Sequence, residues 1–251
     1  MDKIERKLTI ISWNVNGIKA RLEAIKNLVR TERPDILCLQ EVRAKEPYAY
    51  LDSFPGYRGF ANADKIRPGH AGVAIYISKQ ILDVTEGINF TADQEGRIIW
   101  TDICGVRIIS VYMPSDPLER YHMICELVPL CMGEPACVIC GDFNIAAANI
   151  DHHRLFSGRE NCRPVDKAMM TSLQHTLHMK DPYREMYPLS IAYTYWPYMG
   201  RCREKNIGMR IDYTLVSENI PVLGVEILGG IWGSDHCPIS VTIHVDSKKE
   251  D

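Results

Sequence analysis

Ala136-Cys137-Val138-Ile139-Cys140-Gly141-Asp142-Phe143-Asn144 is a short apolar run that stops on an acid and an amide. Its length and the glycine that closes it read as a buried strand, and one that delivers Asp142 and Asn144 to a loop places them where rigid sheets carry their chemistry. The same arrangement recurs on either side. Leu8 to Trp13 delivers Asn14 and Asn16, Asp35 to Gln40 delivers Glu41, and Val106 to Val111 delivers Tyr112. Downstream, Arg210 to Val216 carries Asp212, and Gly233-Ser234-Asp235-His236 places an acid and an imidazole ahead of the run Pro238 to Val245. A lone Asp or Asn caps helices and opens turns more often than it binds a metal. At strand after strand, that explanation needs a fresh coincidence each time.

Gly72 to Ile77, Arg97 to Ile103 and Val222 to Leu228 add further β runs. Helical spacing predicts a helix over Ile18 to Arg30, through Ile18, Leu22, Ile25, Leu28 and Val29. A second is predicted over Glu119 to Cys131, with Tyr121, Ile124, Cys125 and Val128 on one side. Ser247 to Asp251 reads as a frayed tail. With no repeat, linker or composition break, the 251 residues predict a single α/β domain with a core from about 8 to 245.

With 46% hydrophobic and 24% charged residues, the bulk of the chain is not disordered. Its 29 Lys+Arg against 32 Asp+Glu, formally −3, leave no overall basic field, so a polyanionic partner needs a local patch. The charged opening Met1 to Lys7 runs straight into a strand-like segment and offers no signal-peptide core. Ile220 to Trp232, the longest weakly polar stretch, is interrupted by Glu226 and too short to span a bilayer. An intracellular protein without a membrane partner is expected. Nine cysteines, among them Cys38, Cys104, Cys125, Cys137 and Cys140 inside apolar runs, read as buried reduced thiols. Cys137 and Cys140 lie three apart on one strand, on opposite faces, and so do not suit a shared metal.

Several short motifs stand in order along the chain: Ser12-Trp13-Asn14-Val15-Asn16-Gly17, Leu39-Gln40-Glu41, Gly69-His70-Ala71-Gly72-Val73 and Glu95-Gly96-Arg97. Gly141-Asp142-Phe143-Asn144, Arg210-Ile211-Asp212-Tyr213 and Gly233-Ser234-Asp235-His236-Cys237-Pro238 follow. Together, from about Leu8 to Val245, they resemble the exonuclease III class of apurinic/apyrimidinic (AP) endonucleases within the endonuclease/exonuclease/phosphatase superfamily. The resemblance implies an α/β, DNase I-like four-layer sandwich of two mainly antiparallel β-sheets flanked by helices. It also implies a divalent-metal phosphodiesterase that cuts duplex DNA on the 5′ side of abasic sites, with 3′-end cleaning or 3′→5′ exonuclease activity.

Phosphodiester hydrolysis needs an activated water, a cation on the phosphate oxygens, donors for the charge that builds there, and help for the leaving oxygen. By resemblance, Glu41, Asn16 and Asp235 supply oxygen ligands, with Asp142 and Asn144 beside them; an oxygen-only set favours Mg²⁺, or Mn²⁺ as substitute. Asp142 matches the residue that orients or deprotonates the water, and Asn144 donates to the phosphate or that water. His236, oriented by Asp212, matches a donor to the phosphate; Tyr112 matches a phenol that reaches it, and Asn14 completes the floor. Ser115 stands where relatives commonly carry Asn, a longer donor.

The superfamily also holds phosphatases, deadenylases and non-specific nucleases, so substrate choice rests on recognition elements. Arg201 to Arg210 carries Arg201, Arg203, Lys205 and Arg210, and follows Ala192-Tyr193-Thr194-Tyr195-Trp196-Pro197-Tyr198-Met199. A charge run of this kind is often only a solvated loop. This one resembles the loop that AP endonucleases press into DNA, with Met199 as a wedge and Tyr195, Trp196, Met209 and Ile211 around an extruded, base-less sugar. Met209 stands where many relatives have Trp. Lys19, Arg43, His70 and Arg97 lie in motifs that approach DNA in relatives, and with Arg201, Arg203 and Lys205 they would form a local basic track. The expected partner is duplex DNA containing abasic sites, met by a monomer in the nucleus of a eukaryote or the cytoplasm of a prokaryote. A catalytically lapsed DNA-binding relative is disfavoured, because every catalytic position matched is filled.

Overall fold

A computed structural model describes residues 3–85 and 93–248. The chain runs β1 (Lys3–Asn14), α1 (Ile18–Glu32), β2 (Ile36–Gln40), β3 (Tyr57–Asn62), β4 (Val73–Ser78), β5 (Val84–Thr85) and β6 (Ile98–Ile103). It continues through β7 (Val106–Tyr112), α2 (Pro117–Cys131), β8 (Cys137–Asp142), α3 (Pro164–Thr176), β9 (Met179–Lys180) and α4 (Pro182–Met186). Then come β10 (Asp212–Ser217), β11 (Val222–Ile227) and β12 (Ile239–Lys248). Two six-stranded sheets result, ordered β11-β12-β1-β2-β4-β3 and β5-β6-β7-β8-β10-β9.

Each sheet has one parallel pair, β1–β2 and β7–β8. A helix joins each pair, α1 and α2 respectively, as parallel neighbours require a crossover connection. The remaining pairs are antiparallel, so the expected mainly antiparallel sandwich is what the chain forms. Alternation along β8 shows how its layers separate. Val138 and Cys140 join Ile10, Ile36, Ile75, Ile108 and Val241 between the sheets. Cys137 and Ile139 instead face the outer layer with Ile124 and Leu127 of α2 and Leu173 of α3. Cys137 and Cys140 therefore do point apart. On the other outer face, Ile18, Ile25 and Leu28 of α1 pack with Ile11, Trp13, Leu37 and Leu39.

Several expectations need correction. The α2 stripe is Arg120, Met123, Ile124, Leu127 and Cys131, while Tyr121 and Cys125 are exposed. The stripe is rotated because Asp166 of α3 pairs with Arg120 at 2.6 Å in full burial, and the Pro114 and Ser115 carbonyls accept from the same guanidinium. Of the expected frayed tail, Ser247 and Lys248 do not fray but pair with Ile4 and Lys3, and residues 249–251 lie outside the described residues. β3 and α3 are additional elements: β3 is a half-buried edge strand holding Arg58 and Gly59, and α3 buries only Asp166, Met170 and Leu173. No helix among the described residues is long and apolar enough to cross a membrane.

Register positions the chemistry. Tyr112, Asp142 and Asp212 lie side by side on β7, β8 and β10. Asn14 lies opposite Gln40 in the other sheet, one residue before Glu41.

Candidate active site

The Asn14 amide joins the two sheets: its Nδ2 donates to Glu41 Oε1 at 2.9 Å and to Asp142 Oδ2 at 2.9 Å. Past the strand ends the backbone turns sharply, and Asn16, Glu41, Arg43 and Asn144 all take left-handed conformations, with φ between 46° and 52°. Non-glycine residues rarely sit there, and their clustering at one end of the sandwich marks a place where geometry is over-determined. Asn144 N–H donates to Asp142 Oδ1 at 2.9 Å, fixing the carboxylate's second oxygen. The Asn144 side chain is held in turn, donating to the Met113 carbonyl at 2.7 Å and accepting from Asn161 at 3.2 Å.

On the opposite side, His236 Nδ1 lies 2.8 Å from Asp212 Oδ2 and Nε2 lies 3.8 Å from Asp142 Oδ2. A carboxylate accepts only, so Nδ1 carries a proton. Ser234 Oγ donates to the Asn14 carbonyl at 2.8 Å and accepts from His236 N–H at 3.2 Å; Trp13 Nε1 donates to the His236 carbonyl at 3.1 Å. The Tyr195 ring sits 4.8 Å from the imidazole. Burial works against the charged imidazole, yet the Asp212 carboxylate, with Asp142 and Asp235, raises His236 to about 10. Burial pushes Asp142 up to about 7, with Asp212 and Glu41 adding repulsion and His236 and the Asn144 amide opposing it. Burial also pushes the Tyr112 phenol up, reinforced by Glu41, which keeps it a donor.

These groups open on a cavity of about 380 Å³. Glu41, Asp142 and His236 bring ligand atoms within 4.8 Å of one another. Glu41 Oε2 is buried without a hydrogen bond, its cationic neighbour being the Arg43 guanidinium at 2.5 Å. A divalent cation suits this place: it would take up a carboxylate oxygen that accepts no hydrogen bond and offset the repulsion between two buried acids. Asn16 and Asp235, also expected as ligands, bond to each other at 3.0 Å on the wall of the same cavity. Asn144 lines it as well, with its amide oxygen already taken by Asn161.

The recognition residues divide. Tyr195, Met209 and Ile211 line the cavity, and Arg43 reaches it. Lys19, Met199, Arg201 and Lys205 are exposed outside it. His70 is exposed beside Asp64, at 3.4 Å. Three expectations are corrected. Trp196 does not surround the cavity; it is buried with Tyr193 and Cys237, and its Nε1 donates to Asn206 at 3.2 Å. Arg203 is not an open track residue, because its guanidinium lies between the Trp196 and Trp232 rings and donates to the carbonyls of Ser234, Gly229 and Ile231. Arg97 is buried, bonded to Glu95 at 2.5 Å and stacked on Tyr112 at 4.8 Å, so it backs the phenol instead of facing solvent.

Sequence reasoning missed Phe156, Arg159 and Asn161, which line the cavity from the segment between β8 and α3. No periodicity marks that segment, which winds through short 3₁₀ turns. It also missed Asp151, fully buried, which accepts from Arg210 at 2.8 Å and from Arg184 at 2.5 Å. Asp151 thereby ties the segment to Met209 and Ile211 on either side of Arg210.

Comparison with known proteins agrees with this architecture. The chain is 32% identical to a Bacillus subtilis exodeoxyribonuclease over 95% of its length and 100% of that protein's. It is 34% identical to the Danio rerio DNA repair nuclease APEX1, covering 95% of this chain and 83% of that one. Among solved structures, the Neisseria 3′ phosphatase NExo bound to product DNA hairpin superposes with a TM-score of 0.81 at 26% identity, covering 93% and 98% of the two chains. An AP endonuclease from Archaeoglobus fulgidus gives 0.81 at 25% identity with the same coverage. Residues 11–236 match the endonuclease/exonuclease/phosphatase family, a stretch that takes in every strand end described above, and the chain belongs to that family.

Proposed function

We propose that this protein is a DNA-repair phosphodiesterase that cuts the backbone 5′ of abasic sites in duplex DNA and also processes 3′ ends, with Mg²⁺ as cofactor and Mn²⁺ as substitute. One observation carries the reading: a hydrolytic cluster and an apolar wall of Phe156, Met209 and Ile211 share one cavity of about 380 Å³. The cluster suits a phosphodiester, and the wall suits a sugar without a base, whose extrusion sacrifices little stacking.

Asp142 as carboxylate accepts the proton of the attacking water, and the Asn14 and Asn144 hydrogen bonds keep its oxygens aimed. His236, held protonated by Asp212, donates from Nε2 toward the phosphate, where charge builds in the transition state. Tyr112 adds a phenolic donor from the neighbouring strand. Glu41 with Asp142 would hold the divalent ion, flanked by Asn16 and Asp235; bound there, it supplies a Lewis acid for the phosphate oxygens. The functional test offers the protein an abasic duplex, an inositol polyphosphate and poly(A) RNA side by side. Selective cleavage of the duplex, lost in chelator and restored by Mg²⁺ or Mn²⁺, is expected. Preference for either other substrate would overturn the reading.

A further inference from the structure

Two arginines line the catalytic cavity, and their surroundings differ. Arg43 pairs with Glu41 at 2.5 Å, whereas among the described residues no carboxylate forms an ion pair with Arg159. Its guanidinium instead lies over the Phe156 ring, 5.1 Å from the centroid. A tight turn places it there: Arg159 N–H donates to the Phe156 carbonyl at 3.0 Å. Ser157 takes φ −54° and ψ 129°, and Gly158 takes φ +81°. That is a type II turn, whose third residue needs the positive φ that glycine supplies. Phe156 is itself buried against Met209 and Ile211. The other charged groups facing the cavity are mostly acids, Glu41, Asp142 and Asp235, and none of them is an ion-pair partner of Arg159, whose side chain is exposed.

We propose that Arg159 binds the phosphate on the far side of the abasic sugar from the scissile bond, with Phe156 as its positioning residue. The inference rests on the abasic-site reading above. A base-less sugar lying against Phe156, Met209 and Ile211 has a phosphate at each end, and one of them must reach Glu41, Asp142 and His236. The strand leaves from the sugar's other end. The Phe156–Arg159 turn belongs to the wall itself and carries the wall's one cation without a carboxylate partner among the described residues. A guanidinium over a ring keeps its edge donors free for phosphate oxygens.

The test uses duplex DNA holding one tetrahydrofuran abasic analogue. Binding is measured in chelator over a range of salt, and cleavage is measured with Mg²⁺. Arg159→Gln is expected to weaken binding about tenfold and to flatten the log-log salt dependence by roughly 0.9, the share of one neutralised phosphate. With Mg²⁺ its KM should rise by a similar factor while kcat stays within about twofold. Arg159→Lys should retain the salt slope, which a merely structural role would not predict. A wild-type slope in Arg159→Gln, or equal flattening by Lys and Gln, would overturn the proposal. The reaction reading is judged separately. A wild-type protein that binds the duplex without cutting it refutes that reading, and the slopes still decide for or against Arg159.

Discussion

The strand-end floor and the loop from Tyr195 to Ile211 meet at one cavity but are built on opposite principles. In the floor, Asn14, Asp142, Asn144, Asp212 and His236 are buried and tied to one another by side-chain hydrogen bonds. In the loop, Met199 is 82% exposed and Arg201 and Lys205 are exposed, while Arg203 is clamped by carbonyls and Arg210 is buried against Asp151. The difference teaches that the floor's geometry is fixed within the chain itself, whereas the exposed side chains of the loop are free to adjust. Preorganised dipoles are effective because they need no rearrangement during reaction. A recognition loop gains from the opposite property.

Breaking the floor should give the largest effects. Asp142→Asn nearly preserves shape but removes the proton acceptor, so kcat should fall about 10² to 10⁴-fold while binding of the abasic duplex in chelator holds or tightens. Near-normal turnover would remove Asp142 from the mechanism. His236→Asn and Asp212→Asn should each lower kcat. Because the ring and its carboxylate act as a unit, the double variant should lose less than the product of the single losses. Strictly multiplicative losses in steady-state kinetics would show that they work apart.

Glu41→Gln should act mainly on the cation: a titration of activity with Mg²⁺ should shift to higher concentration, with partial recovery at saturation. An unshifted titration would place the ion elsewhere. The loop should show smaller effects, and of two kinds. Arg201→Gln and Lys205→Gln should each flatten the salt dependence of binding by roughly 0.9 for every phosphate that is no longer neutralised, with little change in melting. Arg203→Gln should do the reverse, destabilising the fold by about 1 to 3 kcal/mol through the carbonyls it abandons. If Arg203→Gln flattened the slope and left the melt unchanged, the contrast within the loop would collapse.

The floor was legible because each of its members adjoins an apolar run: Asn14, Glu41 and Asp142 stand just after or at the end of one, and Asp212 and His236 stand just ahead of one. That pattern singled out Asn14, Glu41, Asp142, Asp212 and His236, and the resemblance of the ordered motifs supplied their roles. The sequence does not reveal which face a helix presents when an ion pair decides it, as Asp166 does for Arg120 on α2. Nor does it separate Arg201 from Arg203, which stand two apart in one basic run; only the Trp196 and Trp232 rings, brought together by the fold, set them on different tasks. Phe156 and Arg159 escaped for a third reason: a type II turn inside an aperiodic segment points them at the cavity.

The pairing of β1 with β12, Ser12 opposite Ile239, sets the order in which the protein is completed. β1 lies between β2 and β12, so during synthesis one of its edges waits until β12 has left the ribosome. Such long-range closure slows folding. It also delays competence, because Asn14 stands at the end of β1 while His236 precedes β12 by three residues. A nascent chain carrying Glu41 and Asp142 alone has half a floor and no imidazole. The active site is therefore complete only when β12 pairs with β1 and brings His236 to the floor.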